Sequence, residues 1–141
     1  MKILAVDLGK ARTGLAVCDE GEILASPVTV LQEWNREKLL GQVAEKAQSL
    51  GAERVVVGLP RNMDGSEGES AQNARAFAES LGALVSVPVV MQDERGTTVT
   101  AHNYLNDTDT RGKKRKAVVD AVAATVILQD YLARRRNGNA P

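Results

Sequence analysis

Val55-Val56-Val57-Gly58-Leu59-Pro60-Arg61-Asn62-Met63-Asp64-Gly65-Ser66 is the stretch on which the fold turns. Three β-branched residues in a row show no in–out alternation, so they read as a strand covered on both faces, the habit of parallel strands in α/β proteins. Gly58 to Ser66 is then a nine-residue strand-to-helix loop. Ser66 with Glu69 three positions later is a capping-box signal for the next helix, which should end at Gly82. On the other side, Asn35 is a good N-cap, with Trp34 and Leu39 placed for a hydrophobic staple. Leu39, Leu40, Val43, Ala44, Ala47 and Leu50 recur at helical spacing up to Gly51. Beyond the second helix, Val85 to Met91 is another buried strand, entered past Pro88.

The chain before and after this helix–strand–helix–strand unit has a different texture. Lys2 to Leu8 is a short apolar run, Thr13 to Cys18 a second strand, and a third lies within Ile23 to Leu31, interrupted by Pro27. Tight turns join them into an antiparallel meander. After Met91 the pattern predicts a short helix over Thr98 to Leu105, a polar loop over Asn106 to Lys116, and a last helix from about Ala117 to Arg135. The expected architecture is α/β: a five-stranded mixed sheet, a three-strand meander plus two parallel strands, with helices on both faces. Residues 1–136 make a single domain and 137–141 a short flexible tail.

Composition narrows the function. The 141 residues are 43% apolar and 26% charged, with one cysteine and one histidine, which suits a single globular domain. Cys18 and His102 cannot supply the four nitrogen or sulfur ligands of structural zinc, and no internal disulfide is possible. No apolar run approaches the roughly 20 residues of a membrane span, and Asp7 interrupts the N-terminus where a signal peptide would be apolar. A cytoplasmic protein without membrane contact is expected. The zero net charge hides an asymmetry. Residues 1–110 carry 10 basic and 16 acidic side chains, whereas residues 111–141 carry 8 basic and 2 acidic. Uneven charge of this kind suits a polyanionic partner.

Three acidic positions lie where a carboxylate is costly. Asp7 breaks an apolar strand and must be paired, hydrogen-bonded, protonated or bound to a cation. Asp93 and Glu94 leave a strand at its C-terminal end, where ligands gather in open α/β sheets. Because strand side chains alternate, at most one of them shares a face with Asp7. Asp120 borders the apolar stripe Val119, Val122, Ala123, Val126 and Ile127 of the last helix. Each has an ordinary explanation: a turn cap, a solvated loop acid, or a first-turn acid complementing the helix dipole. Together they could converge on one patch, and oxygen-only ligands select hard cations, Mg²⁺ or Mn²⁺. Two such ions clamp the attacking and leaving oxygens of a phosphoryl displacement. Arg12, in the glycine-containing turn after Asp7, could meet a phosphate. His102 has no adjacent nucleophile pattern.

Four motifs in order carry a family resemblance: Asp7-x-Gly9-x-x-Arg12-x-Gly14; Gly58-Leu59-Pro60-x-Asn62-Met63-Asp64-Gly65; Asp93-Glu94-Arg95-x-Thr97-Thr98; and Asp120-Ala121-x-Ala123-Ala124 followed by Ile127-Leu128-Gln129-x-Tyr131-Leu132. In these the chain resembles the YqgF (RuvX) family of the ribonuclease H-like superfamily, over nearly its whole length. The resemblance implies a ribonuclease H-like sheet and divalent-metal phosphodiester hydrolysis. It makes Asp7, Glu94 and Asp120 the metal-binding and catalytic set, with Asp93 in reserve. Gly96 departs from the family pattern, which favours a bulkier residue there, and loosens the loop that aims Glu94.

The implied activity is a Mg²⁺- or Mn²⁺-dependent nuclease, with two ions, that processes the 5′ end of precursor 16S rRNA. Arg12, Arg61, Arg95, Lys113, Lys114, Arg115 and Lys116 would bind the nucleic acid, since phosphate neutralisation supplies most of the affinity. A Holliday-junction resolvase acting on branched or single-stranded DNA is the alternative, and would need a homodimer rather than a monomer. A non-catalytic RNA-binding or assembly factor is a third. The opening motif also resembles the phosphate hairpin of actin-like ATPases and sugar kinases, which clamp nucleotide between two lobes where this chain has length for one.

Overall fold

The computed structural model describes the backbone of residues 1–94 and 112–141, and the side chains of residues 1–94 and 122–141. In chain order the elements are β1 (Ile3–Asp7), β2 (Arg12–Cys18), β3 (Ala25–Gln32), α1 (Arg36–Ser49), β4 (Arg54–Leu59), α2 (Glu69–Leu84), β5 (Val89–Asp93) and α3 (Gly112–Arg136). The strands form one sheet ordered β3-β2-β1-β4-β5. The first three are antiparallel neighbours, while β4 runs parallel to β1 and β5 parallel to β4. This is the mixed sheet expected from the sequence. Pro27 is tolerated because β3 lies at the sheet edge, beside a register shift at Leu15/Ala16.

Strand alternation splits the core in two. Leu4, Val6, Leu15, Val55, Val57 and Leu59 face α1 and α2, meeting Leu39, Val43, Phe77 and Leu81. Ile3, Ala5, Ala16, Cys18 and Val56 face the other way, against Ala124, Ile127, Leu128, Tyr131 and Leu132 of α3. Helices therefore cover both faces. The Val55-Val56-Val57 run is apolar throughout because its middle residue belongs to one core and its neighbours to the other.

Three local expectations are corrected. Asn35 does cap α1, its side chain accepting from Lys38 N, and Gly51 at φ +69° ends the helix. The staple does not form: Leu39 is buried but Trp34 is 77% exposed. Ser66 does not cap α2, which starts at Glu69 behind Gly68 with no side-chain cap. The Ser66 hydroxyl is spent inside the loop, donating to Asp64 Oδ1 at 2.6 Å and accepting from Asn62 Nδ2 at 2.9 Å. Finally, α3 begins at Gly112, so Lys113 to Lys116 are helical rather than part of a loop. Lysine and arginine are good helix formers, and polarity alone did not mark a break. The helix expected over Thr98 to Leu105 lies outside the described residues.

The end of the sheet where β1 begins is tied by ions. Glu22 receives the N-terminal ammonium at 3.2 Å and the Arg135 guanidinium. Beyond α3 the chain folds back, the Tyr131 hydroxyl donating to the Pro141 carbonyl at 2.6 Å.

Candidate active site

The opposite end of the sheet, where β1, β3, β4 and β5 all terminate, collects the residues with chemical potential. β1 and β2 pair Asp7 with Gly14. Since Ile3 and Ala5 face α3, Asp7 continues on that face. Extending the register Val6↔Val57 by one residue sets Asp7 beside Gly58, which pairs with Gln92 of β5. In β5, Met91 packs with the α1/α2 core and Val90 with the α3 core. Alternation then sends Asp93 to the α1/α2 side and Glu94 to the α3 side.

The contacts agree with that parity. The Arg61 guanidinium approaches Asp93 Oδ2 at 3.6 Å and Glu67 at 3.2 Å. Arg75 also grips Glu67, and the two arginines hold the Glu67 carboxyl down to about 2, Arg75 contributing most. Glu94 instead turns over β4, its backbone N–H donating to Leu59 O at 3.1 Å. A Cβ on Gly58 would stand 2.8 Å from the Glu94 carboxylate. β1 and β5 are two strand spacings apart, about 10 Å, and the missing side chain at Gly58 leaves the room in which Glu94 reaches toward Asp7.

Electrostatics register the encounter. Burial, then the charge of Asp7, then that of Asp93, push the Glu94 carboxyl up to about 8. Two acids so placed resist ionising together, and a divalent cation relieves that resistance. The donor set is oxygen only, which fits a hard ion. Among the described residues no group of three His, Cys, Asp or Glu completes a metal-holding cluster.

The third acid is located by its helix. Tyr131 of α3 accepts a hydrogen bond from Arg54, at the start of β4, at 3.2 Å. Ile127 lies against Gly58 near the end of β4. α3 therefore runs antiparallel to β4, and its N-terminal half continues toward the sheet end that holds Asp7 and Glu94. Asp120 is seven residues before Ile127, two turns, which returns it to within about 20° of the same helix face. It stands in the third turn of α3, so the reading as a first-turn acid complementing the helix dipole falls away.

Arg12, at the start of β2 on the face of Gly14 and Asp7, has a buried Nη1 with no hydrogen-bond partner among the described residues. An orphaned guanidinium N–H is costly unless a ligand takes it up. Arg95 lies outside the described residues. Lys113, Lys114, Arg115 and Lys116 occupy the first turns of α3. Two contributors were not singled out from sequence as site-shaping. Gly58 closes the β-branched run that reads as a strand, and a glycine in a strand signals the close approach seen here. Gln92, buried beside the site, accepts from Arg134 Nη1 at 2.8 Å.

Strand order and strand directions define a ribonuclease H-like fold. Two solved structures share that fold across nearly their whole length. Thermus thermophilus RuvC in complex with a Holliday-junction substrate superposes with a TM-score of 0.65 at 16% identity, covering 99% of this chain and 98% of that one. The fowlpox virus Holliday junction resolvase gives 0.55 at 12% identity, covering 92% and 99%. The chain belongs to the RuvX family of nucleases, whose model, described as "RuvX: Holliday junction resolvase", matches residues 1–134. A relative from Chloroflexus aurantiacus, named "Putative pre-16S rRNA nuclease", is 43% identical over 138 residues, 97% of this chain and 90% of its own. A relative of the same name from Kineococcus radiotolerans is 42% identical over 140 residues, 98% and 74% of the two chains.

Proposed function

We propose that this nuclease hydrolyses phosphodiester bonds of precursor 16S rRNA, trimming its 5′ end, and that Asp7, Glu94 and Asp120 hold the Mg²⁺ or Mn²⁺ ions it uses. The observation that carries the reading is that Glu94 lies over Gly58, on the face of Asp7, where burial first and the charge of Asp7 second raise its proton affinity. Such ions supply, when bound, Lewis-acid stabilisation for the attacking and leaving oxygens of an in-line displacement. The chain's own part is to present deprotonated carboxylates on one face, to hold Asp93 away from them through Arg61, and to offer the Arg12 guanidinium to a phosphate oxygen. Arg61 is the weaker phosphate ligand, because a substrate there competes with Glu67 and Asp93.

Affinity for the RNA rests on backbone charge. Lys113, Lys114, Arg115 and Lys116 stand at the N-terminus of α3, where their charge opposes the helix dipole. That arrangement costs helix stability and favours an anion. No described helix is long and apolar enough to cross a membrane; a cytoplasmic location is part of the proposal and follows from the rRNA substrate.

The test is cleavage of a 5′-extended 16S precursor with Mg²⁺ or Mn²⁺ by the wild type and by Asp7→Asn. Loss of cleavage with RNA binding retained supports the assignment; equal activity removes Asp7 from the chemistry. Retained binding with no cleavage by the wild type under either metal would favour an assembly factor. The resolvase description of the family model supports a second reading, cleavage of branched DNA. It requires a dimer, and sedimentation showing only monomer with junction DNA present would dismiss it.

A further inference from the structure

The chain has one tryptophan, and it is 77% exposed. Trp34 follows β3, whose C-terminal end lies at the same end of the sheet as Asp7. β3 is two strands from β1, about 10 Å laterally. The backbone ties this corner to the turn after Asp7, since Glu33 N donates to Ala11 O at 3.0 Å. Arg36 Nη1 donates to Gly9 O at 3.2 Å, which fixes a guanidinium on the same rim. Lys10 is exposed on that turn, and Arg12 starts β2 beside it, its buried Nη1 without a partner among the described residues. The nearby Glu33 is engaged with Asn35 N and Gln42 Nε2 at 3.3 and 3.2 Å; Glu37 is exposed in the first turn of α1.

A singly exposed hydrophobic is ordinary on a protein surface, so what marks Trp34 is its cationic setting and not its exposure. Its setting of one aromatic among Lys10, Arg12 and Arg36, beside a phosphodiester site, matches the combination that holds single strands: cations for the backbone and a π-face for a base. We propose that Trp34 is a stacking platform for an unpaired base a few nucleotides from the bond that is cut, so that the enzyme selects substrates with a single-stranded extension. This rests on the nucleic-acid reading above but not on the metal site, and its test needs no cleavage.

Because Trp34 is the sole tryptophan, its fluorescence reports on itself. The full chain is titrated at low salt, in EDTA, with a single-stranded oligouridylate decamer and with a blunt ten-base-pair RNA duplex. The expected result is quenching by the single strand and little by the duplex. Trp34→Ala should weaken single-strand binding by between about 5- and 150-fold, read by anisotropy of a labelled decamer, with duplex binding unchanged. Trp34→Phe should recover most of the loss. Unchanged affinity in Trp34→Ala, equal quenching by both probes, or a concentration-dependent blue shift without RNA, meaning that a second copy covers Trp34, would each overturn the proposal. If Asp7→Asn cleaves normally while Trp34 still quenches, the carboxylate reading fails and this one stands.

Discussion

A methyl group at position 58 would stand 2.6 Å from Ile127 Cδ1 and 2.8 Å from the Glu94 carboxylate. Ile127 is fully buried and has little room to yield, whereas the Glu94 carboxylate ends a flexible side chain and would swing aside. Gly58→Ala should therefore cost about 1–3 kcal/mol of stability by overpacking, and cleavage should fall further than stability does as Glu94 is displaced. Denaturant unfolding and cleavage rates measured on the same preparation separate the two losses. Glu94 itself gives a pH signature. An unfolded glutamate releases its proton near its ordinary value of 4.5, whereas in the metal-free fold Glu94 keeps it to about 8. Between those values the native state binds the extra proton, so stability falls as pH rises and the loss is complete above about 8. Glu94→Gln cannot ionise. In EDTA its Tm should match the wild type at about pH 5 and exceed it at about pH 9. A wild type that gains on the variant with rising pH would contradict the crowding of Asp7 and Glu94.

Elements show where sequence reasoning reaches and where it stops. The two parallel strands were legible because Val55-Val56-Val57 needs cover on both faces, and α1 because Asn35 and Gly51 bracket a helical stripe. Ser66 misled because a capping box specifies which side chain is available, not what competes for it, and Asp64 and Asn62 lie closer in the loop. Which of Asp93 and Glu94 shares a face with Asp7 depends on how β5 sits on β4, since parity is a property of register and one residue reverses it. The start of α3 was missed because Lys113 to Lys116 look like a solvated loop yet have high helix propensity. Their placement yields a prediction at this scale. Replacing all four with Gln should flatten the salt dependence of RNA binding by about 0.7 per charge removed. It should also stabilise α3, whose first turns lose charge opposed to the dipole. Binding measured across a salt series, with a thermal melt of the free protein, checks both; an unchanged salt slope would move the RNA off this helix.

At the scale of the whole molecule the two ends of the sheet are built differently. One is closed by the Met1 ammonium, Glu22 and Arg135; the other gathers acids, an orphaned guanidinium N–H and an exposed tryptophan. α3 links them: Tyr131 meets Arg54 toward the closed end, Ile127 packs against Gly58 toward the open one, and the helix continues from there to its N-terminal cations. In the proposed reading, metal, RNA backbone and unpaired base would all address the open end. The central claim is that acids from β1, the exit of β5 and α3 share the same cation. A crystal of the full chain soaked in Mn²⁺, with anomalous differences recorded, tests it most directly. Manganese is expected within bonding distance of Asp7, Glu94 and Asp120 together, and is lost in Asp7→Asn; manganese bound elsewhere, or those three side chains pointing apart around an empty end of the sheet, would refute a shared cation.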